Sequence, residues 1–135
     1  MGARLLGLEP RLRASVQIAG FPALTFALAR GQRRAATAFQ VLLEPESARR
    51  AYVAALAPLD GARFLGQRAP APLLLQFARD DEHVSRLDAA LYEAAAGPPV
   101  EVSWYDGGHF TLGAGPAREE RRAFLRRTLL PAARP

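Results

Sequence analysis

Two acids, Asp80 and Asp81, follow an unbroken apolar stretch, and His109 follows a glycine pair 28 positions after Asp81. A carboxylate and an imidazole in that order can do acid–base work. The imidazole takes a proton from a nucleophile; the carboxylate fixes the ring's tautomer and stabilises the cation that forms. Gly107 and Gly108 let the backbone turn sharply without a Cβ clash, which would aim the ring along the end of a strand. Each residue also has a plainer reading. His109 could be an exposed turn histidine, and Asp81 a solvated acid within "RDDEH", with Asp80 as its competitor. Asp106 stands close to His109 in sequence but reads as the start of the turn. His83 reads as a surface residue. The spacing of the two histidines matches no metal-ligand pattern, and no metal or cofactor is expected.

Positioning such a pair requires strands with loops at one end. "LLLQF", Leu73 to Phe77, is apolar at almost every position, as in a strand buried on both faces of a parallel sheet. "VEVSWY" alternates Val100, Val102 and Trp104 with Glu101 and Ser103, which reads as a second strand. "RASVQIAG" reads as a third, a buried one, with Val16 and Ile18 on one face and Gly20 closing it. Residues 2–9 read as a short helix ending before Pro10. Residues 21–60 read as three helical blocks punctuated by Gly31, Pro45 and Pro58.

Ser85 and Asp88 have capping-box spacing. The helix they open takes its apolar stripe from Val84, Leu87, Leu91 and Ala94 and stops at "GPP". Pro116 suits the first turn of a last helix, with Ala117, Phe124, Leu125 and Leu129 expected to dock on the sheet. Strand, helical block, strand, helix, strand, helix is the order of an α/β fold with a parallel sheet, expected as one domain over residues 1–135. Ligands of such sheets sit outside the carboxyl ends of the strands, where Asp81 and His109 would be neighbours.

Composition narrows the function classes. Half of the 135 residues are hydrophobic and 23% are charged, which is ordinary for a globular chain. No apolar run reaches the ~18 residues of a membrane span, and "MGARLLGLEPRLR" does not read as a signal peptide. There is no cysteine, so a disulfide or a cysteine nucleophile within this chain is excluded; a cytoplasmic location is compatible and expected. Net charge is +5 and every basic residue is arginine. The arginines are scattered, most beside acids, and no basic run is interleaved with aromatics. They read as solvated surface, with no nucleic-acid or membrane partner expected.

The residues also carry a resemblance. "PLLLQFARDDEHVS" followed by "WYDGGH" resembles the C-terminal half of bacterial α/β-hydrolases of the dienelactone-hydrolase, acyl-esterase and prolyl-oligopeptidase-like type. In that family the acid is carried by P-x-L-x-x-x-G-x-x-D-x-x-V-S and the base by W-Y-D-x-G-H. Position by position, the resemblance makes Asp81 the acid and His109 the base. Ala78 stands where the family has glycine, implying a stiffer loop. "MGARLLGLEPRLRASVQIAG" is similar to the family's nucleophile helix and following strand, and residues 21–60 fall where relatives insert a lid. Phe21, Phe26 and Phe39 would then either cover a substrate or simply pack.

What the resemblance implies is a partial α/β-hydrolase fold, the C-terminal strands of a parallel sheet with flanking helices and a lid-like helical segment. Its activity would be hydrolysis of a small-molecule ester or related acyl bond by a serine. That serine sits in G-x-S-x-G, and Met1-Gly2-Ala3 aligns just after it. The nucleophile is therefore expected upstream of Met1, and Met1 would supply an oxyanion amide only in an intact chain. Ser15 and Ser103 read as strand residues, Ser47 as a helix start and Ser85 as a cap. The chain alone is expected to be inactive. The alternative is a non-catalytic remnant or accessory binding module, whose first strand would present an open edge prone to self-association.

Overall fold

The computed structural model describes residues 2–30, 34–67 and 71–130. The apolar run forms the central strand β2, Leu73–Ala78, and every one of its residues is buried. β1, Ser15–Ile18, pairs with it in parallel on one side, and β3, Val100–Tyr105, on the other. β1 is not the buried strand its sequence suggests: it is only half-buried, with Ile18 47% exposed, because it stands at the edge of the sheet among the described residues. Leu73 faces Ser15 and Val100 across the two ladders, so all three strands point their carboxyl ends the same way. Parallel neighbours cannot be joined by a hairpin, and helices make both crossovers.

Between β1 and β2 lie α2 (Leu24–Arg30), α3 (Arg34–Val41), α4 (Glu46–Leu56), a 3₁₀ turn at Ala57–Leu59 and α5 (Ala62–Leu65). Pro45 is the N-cap of α4 and Pro58 sits in the 3₁₀ turn, as the sequence punctuation predicts; Gly31 lies outside the described residues. Before β1, α1 spans Gly2–Leu8. After β2, α6 spans Arg86–Ala96, and after β3 comes α7, Gly115–Leu129.

Strand alternation sorts the two faces. Leu73, Leu75 and Phe77 pack with Leu6 of α1, Leu65 of α5, and Ala89, Tyr92 and Ala96 of α6. The opposite face of β2 meets α7, whose Ala117 and Phe124 are fully buried.

The capping box of α6 forms: Ser85 Oγ accepts the Asp88 N–H at 3.1 Å, and the Asp88 carboxylate accepts the Ser85 N–H at 3.1 Å. Its stripe differs from the expected one. Leu87 and Leu91 are 69% and 52% exposed and Ala94 is exposed, while Ala89, Tyr92 and Ala96 are buried. Both sets have helical spacing. Tyr92 decides between them, because its ring fills the space above Gly20, where a Cβ would stand 2.0 Å from it. The alanines let the helix lie close to the sheet. In α7 Leu129 is 45% exposed and outside the docking face; the face continues from Ala117 to Phe124 through Glu120 and Arg121 instead.

Candidate active site

The strands end, but their ladder does not. Beyond Ala78 the Arg79 N–H donates to the Tyr105 carbonyl at 2.9 Å, and the Asp80 N–H to the Gly107 carbonyl at 3.1 Å. These two rungs hold the loops after β2 and β3 edge to edge. Ala78 is the last paired residue of β2 opposite Tyr105, so the residue where a glycine was expected belongs to the strand.

Three residues on, Asp81 turns its carboxyl group toward the other loop. Oδ2 lies 2.9 Å from His109 Nδ1, and Oδ1 accepts the N–H groups of His83 and Val84 at 2.7 and 3.0 Å. The Asp81 side chain is 1% exposed and the His109 side chain 36%. Burial pushes the Asp81 carboxyl up, but the hydrogen bonds from His109, His83 and Val84 outweigh it and hold the group below its ordinary value of 3.8. An ionised carboxylate only accepts, which assigns the proton of a neutral ring to Nδ1 and leaves Nε2 with its lone pair.

The turn bearing His109 depends on its glycines. Gly107 has φ +104°, and a Cβ there would meet Thr111 Oγ1 at 2.5 Å. The Gly108 carbonyl accepts the Thr111 N–H at 3.0 Å, which opens the 3₁₀ turn His109–Gly113. Asp80 and Asp106 do not reach the ring. Asp80 is exposed, and Asp106 pairs with Arg79 Nε at 3.0 Å.

Sequence reasoning missed Glu82. Its Oε2 accepts the His109 backbone N–H at 3.2 Å, and that bond, with one from its own amide, lowers its pKa. His83 is exposed but not remote: its ring meets the His109 ring edge-on with centroids 4.9 Å apart. The only available signal for either was adjacency to Asp81. Among the described residues no group of three or more metal-ligating side chains gathers, and no helix is long and apolar enough to cross a membrane.

Met1 lies outside the described residues. Gly2 lines a cavity of about 300 Å³ at the carboxyl end of β1, together with Ala19, Phe21, Asp60 and Tyr92. Of the phenylalanines set aside for a lid, Phe21 packs against the main core and Phe39 against Tyr52 of α4, with centroids 5.3 Å apart. Phe26's side chain is outside the description.

No protein-family model matches the chain, and no curated protein matches it significantly. Solved structures do. An esterase of Pyrococcus furiosus is 20% identical with a TM-score of 0.60, over 94% of this chain and 48% of that one. The 2,6-dihydroxy-pseudo-oxynicotine hydrolase is 20% identical with a TM-score of 0.71, over 96% and 37%. The fold is that of part of an α/β-hydrolase. A puromycin-hydrolyzing peptidase of Mycobacterium tuberculosis, 18% identical with a TM-score of 0.64, matches 93% of this chain and 20% of its own. The chain therefore spans less than half the length of each of these α/β-hydrolase-like structures.

Proposed function

We propose that this chain carries the acid and the base of a serine hydrolase acting on ester or related acyl bonds. The observation that carries the reading is the 2.9 Å contact between a buried Asp81 and the half-open ring of His109 at the carboxyl lip of the sheet. His109 Nε2 takes the proton of the nucleophile and returns it to the leaving group. Asp81 holds the tautomer and stabilises the imidazolium.

The nucleophile is assigned to polypeptide beyond these 135 residues, immediately before Met1 in an intact chain, with the Met1 amide as an oxyanion donor. The state of the serines supports this. Ser85 is spent in the α6 cap, Ser103 donates to Glu120, Ser15 accepts from Gln17, and Ser47 sits in the first turn of α4. The substrate class is a small molecule with an ester or related acyl bond, and a cytoplasmic location belongs to the same proposal.

The test is hydrolysis of a chromogenic ester. These 135 residues should give no turnover above buffer. A polypeptide extended by its in-frame upstream sequence should turn over, and His109→Ala should abolish that. Turnover by the extended form that survives His109→Ala would overturn the proposal. We also assign the outer edge of β1, which pairs only with β2 among the described residues, to self-association of the chain on its own. Light scattering should show species larger than a monomer; a clean monomer would contradict it.

A further inference from the structure

On the sheet face away from α1, α5 and α6, polar side chains meet where packing alone would call for apolar ones. Gln76, at the middle of the central strand, is fully buried. Its Nε2 lies 2.8 Å from Glu120 Oε2, 2.7 Å from the Tyr105 hydroxyl and 3.0 Å from the Ala117 carbonyl. Its Oε1 accepts from Arg121 Nη1 at 2.7 Å. Ser103 Oγ donates to Glu120 Oε1 at 2.7 Å, and the Tyr105 hydroxyl donates to Glu120 Oε2. Burial pushes Glu120 up, but the bonds from Tyr105, Ser103 and Gln76 win and lower it. Tyr105 is pushed up to about 12, first by burial and then by the Glu120 carboxylate.

A buried polar cluster is costly unless every member is satisfied, and a satisfied one rigidifies what it connects. What this one connects is specific. Gln76 lies on the strand that leads into Asp81, Ser103 and Tyr105 on the strand that leads into His109. Arg121 Nη1 makes a second bond, to the Leu112 carbonyl at 2.8 Å. Leu112 lies in the 3₁₀ turn that begins at His109. One guanidinium nitrogen thus joins the acid's strand to the base's turn from behind the sheet, while Asp81 joins them from above.

We infer that Arg121 is a positioning residue for His109: its Nη1, braced by Gln76, holds the Leu112 carbonyl and so fixes the turn that aims the imidazole at Asp81. The inference rests on the dyad reading proposed above. Arg121 touches neither the ring nor any reacting atom.

The test uses the full 135-residue chain labelled with ¹⁵N. Ring nitrogen shifts of His109 are read through its non-exchanging ring protons at pH about 9, where a free imidazole is neutral. The native ring should carry its proton on Nδ1. Arg121→Met should keep the folded methyl and Trp104 spectrum yet lose the single tautomer, giving a mixture with an Nε2–H ring. Tyr105→Phe removes the bond to Glu120 and the one from Gln76 Nε2, and none of those that Arg121 makes to Gln76 and Leu112. It should lower the melting temperature and leave the tautomer unchanged, which separates positioning from general support. Arg121→Lys is the second variant, since its ammonium ends one bond short of Nη1; it should give an intermediate mixture. Native ring shifts in a folded Arg121→Met or Arg121→Lys chain would overturn the inference alone. A native His109 protonated on Nε2 would overturn the dyad reading and this inference together.

Discussion

The lip of β2 and β3 and the helical segment between β1 and β2 are built on different principles. At the lip, position is set by backbone: two ladder rungs past the strand ends, two amides on Asp81 Oδ1, and a carboxylate on the His109 N–H. In α4, position is set by looser side-chain packing, whereas α2 buries Ala29 and ties Thr25 to the Asp60 carboxylate. α4 buries no residue completely, and Val41, Leu42, Leu56 and Leu59 stay exposed. A buried carboxylate needs its geometry over-determined, because losing its hydrogen-bond partners leaves an uncompensated charge.

The largest way to break this contrast is chemical. In a polypeptide that includes the nucleophile, Asp81→Asn should lower kcat on the order of 10⁴-fold with the fold retained. Near-normal turnover would remove Asp81 from the mechanism. The next is energetic. Phe124→Ala, which empties a fully buried site between α7 and the sheet, should cost about 3–5 kcal/mol in urea unfolding. Leu42→Ala, on a side chain 75% exposed, should stay within about 0.5 kcal/mol. Equal effects would erase the distinction between the packed face of the sheet and the exposed side of the helical segment.

The smallest is a pH effect. Burial pushes the Tyr92 hydroxyl up to about 12 from its ordinary 10.0, and Tyr105 rises to about 12 as well. A raised folded value means the folded state holds the proton longer. The stabilisation is then complete below pH 10 and is lost as pH rises from about 10 toward 12. For the 3%-exposed Tyr92 that loss is on the order of 2 kcal/mol. Tyr92→Phe should flatten the alkaline limb of a melting-temperature profile, and an unchanged limb would reject this account.

The strands and the acid–imidazole spacing were legible because their signals are local. A doubly buried strand reads as an apolar run, and a turn with φ +104° reads as glycine. Fold class and the order of elements along the chain followed from alternation. The apolar face of α6 was not legible, since Leu87–Leu91 and Ala89–Tyr92–Ala96 both have helical spacing. The choice is made by Gly20, 72 positions before Tyr92, which receives the ring. Gln76 was read as part of an apolar run because its partners, Glu120 and Arg121, sit on α7 and look like an ordinary solvated stretch. Glu82 was illegible for a simpler reason: it bonds a backbone amide, and no residue type announces that.

The two rungs beyond the strand ends separate the dyad's geometry from the length of the connection between its members. Because Arg79 and Asp80 are tied directly to Tyr105 and Gly107, nothing in the Asp81–His109 separation is inherited from α6 or from the Gly97–Pro99 bend that follows it. Residues can be added to that bend, or the chain opened there and its ends rejoined elsewhere, and carboxylate and ring should still meet. Divergence in this crossover can reshape the outer surface of the protein while its chemistry stays in register.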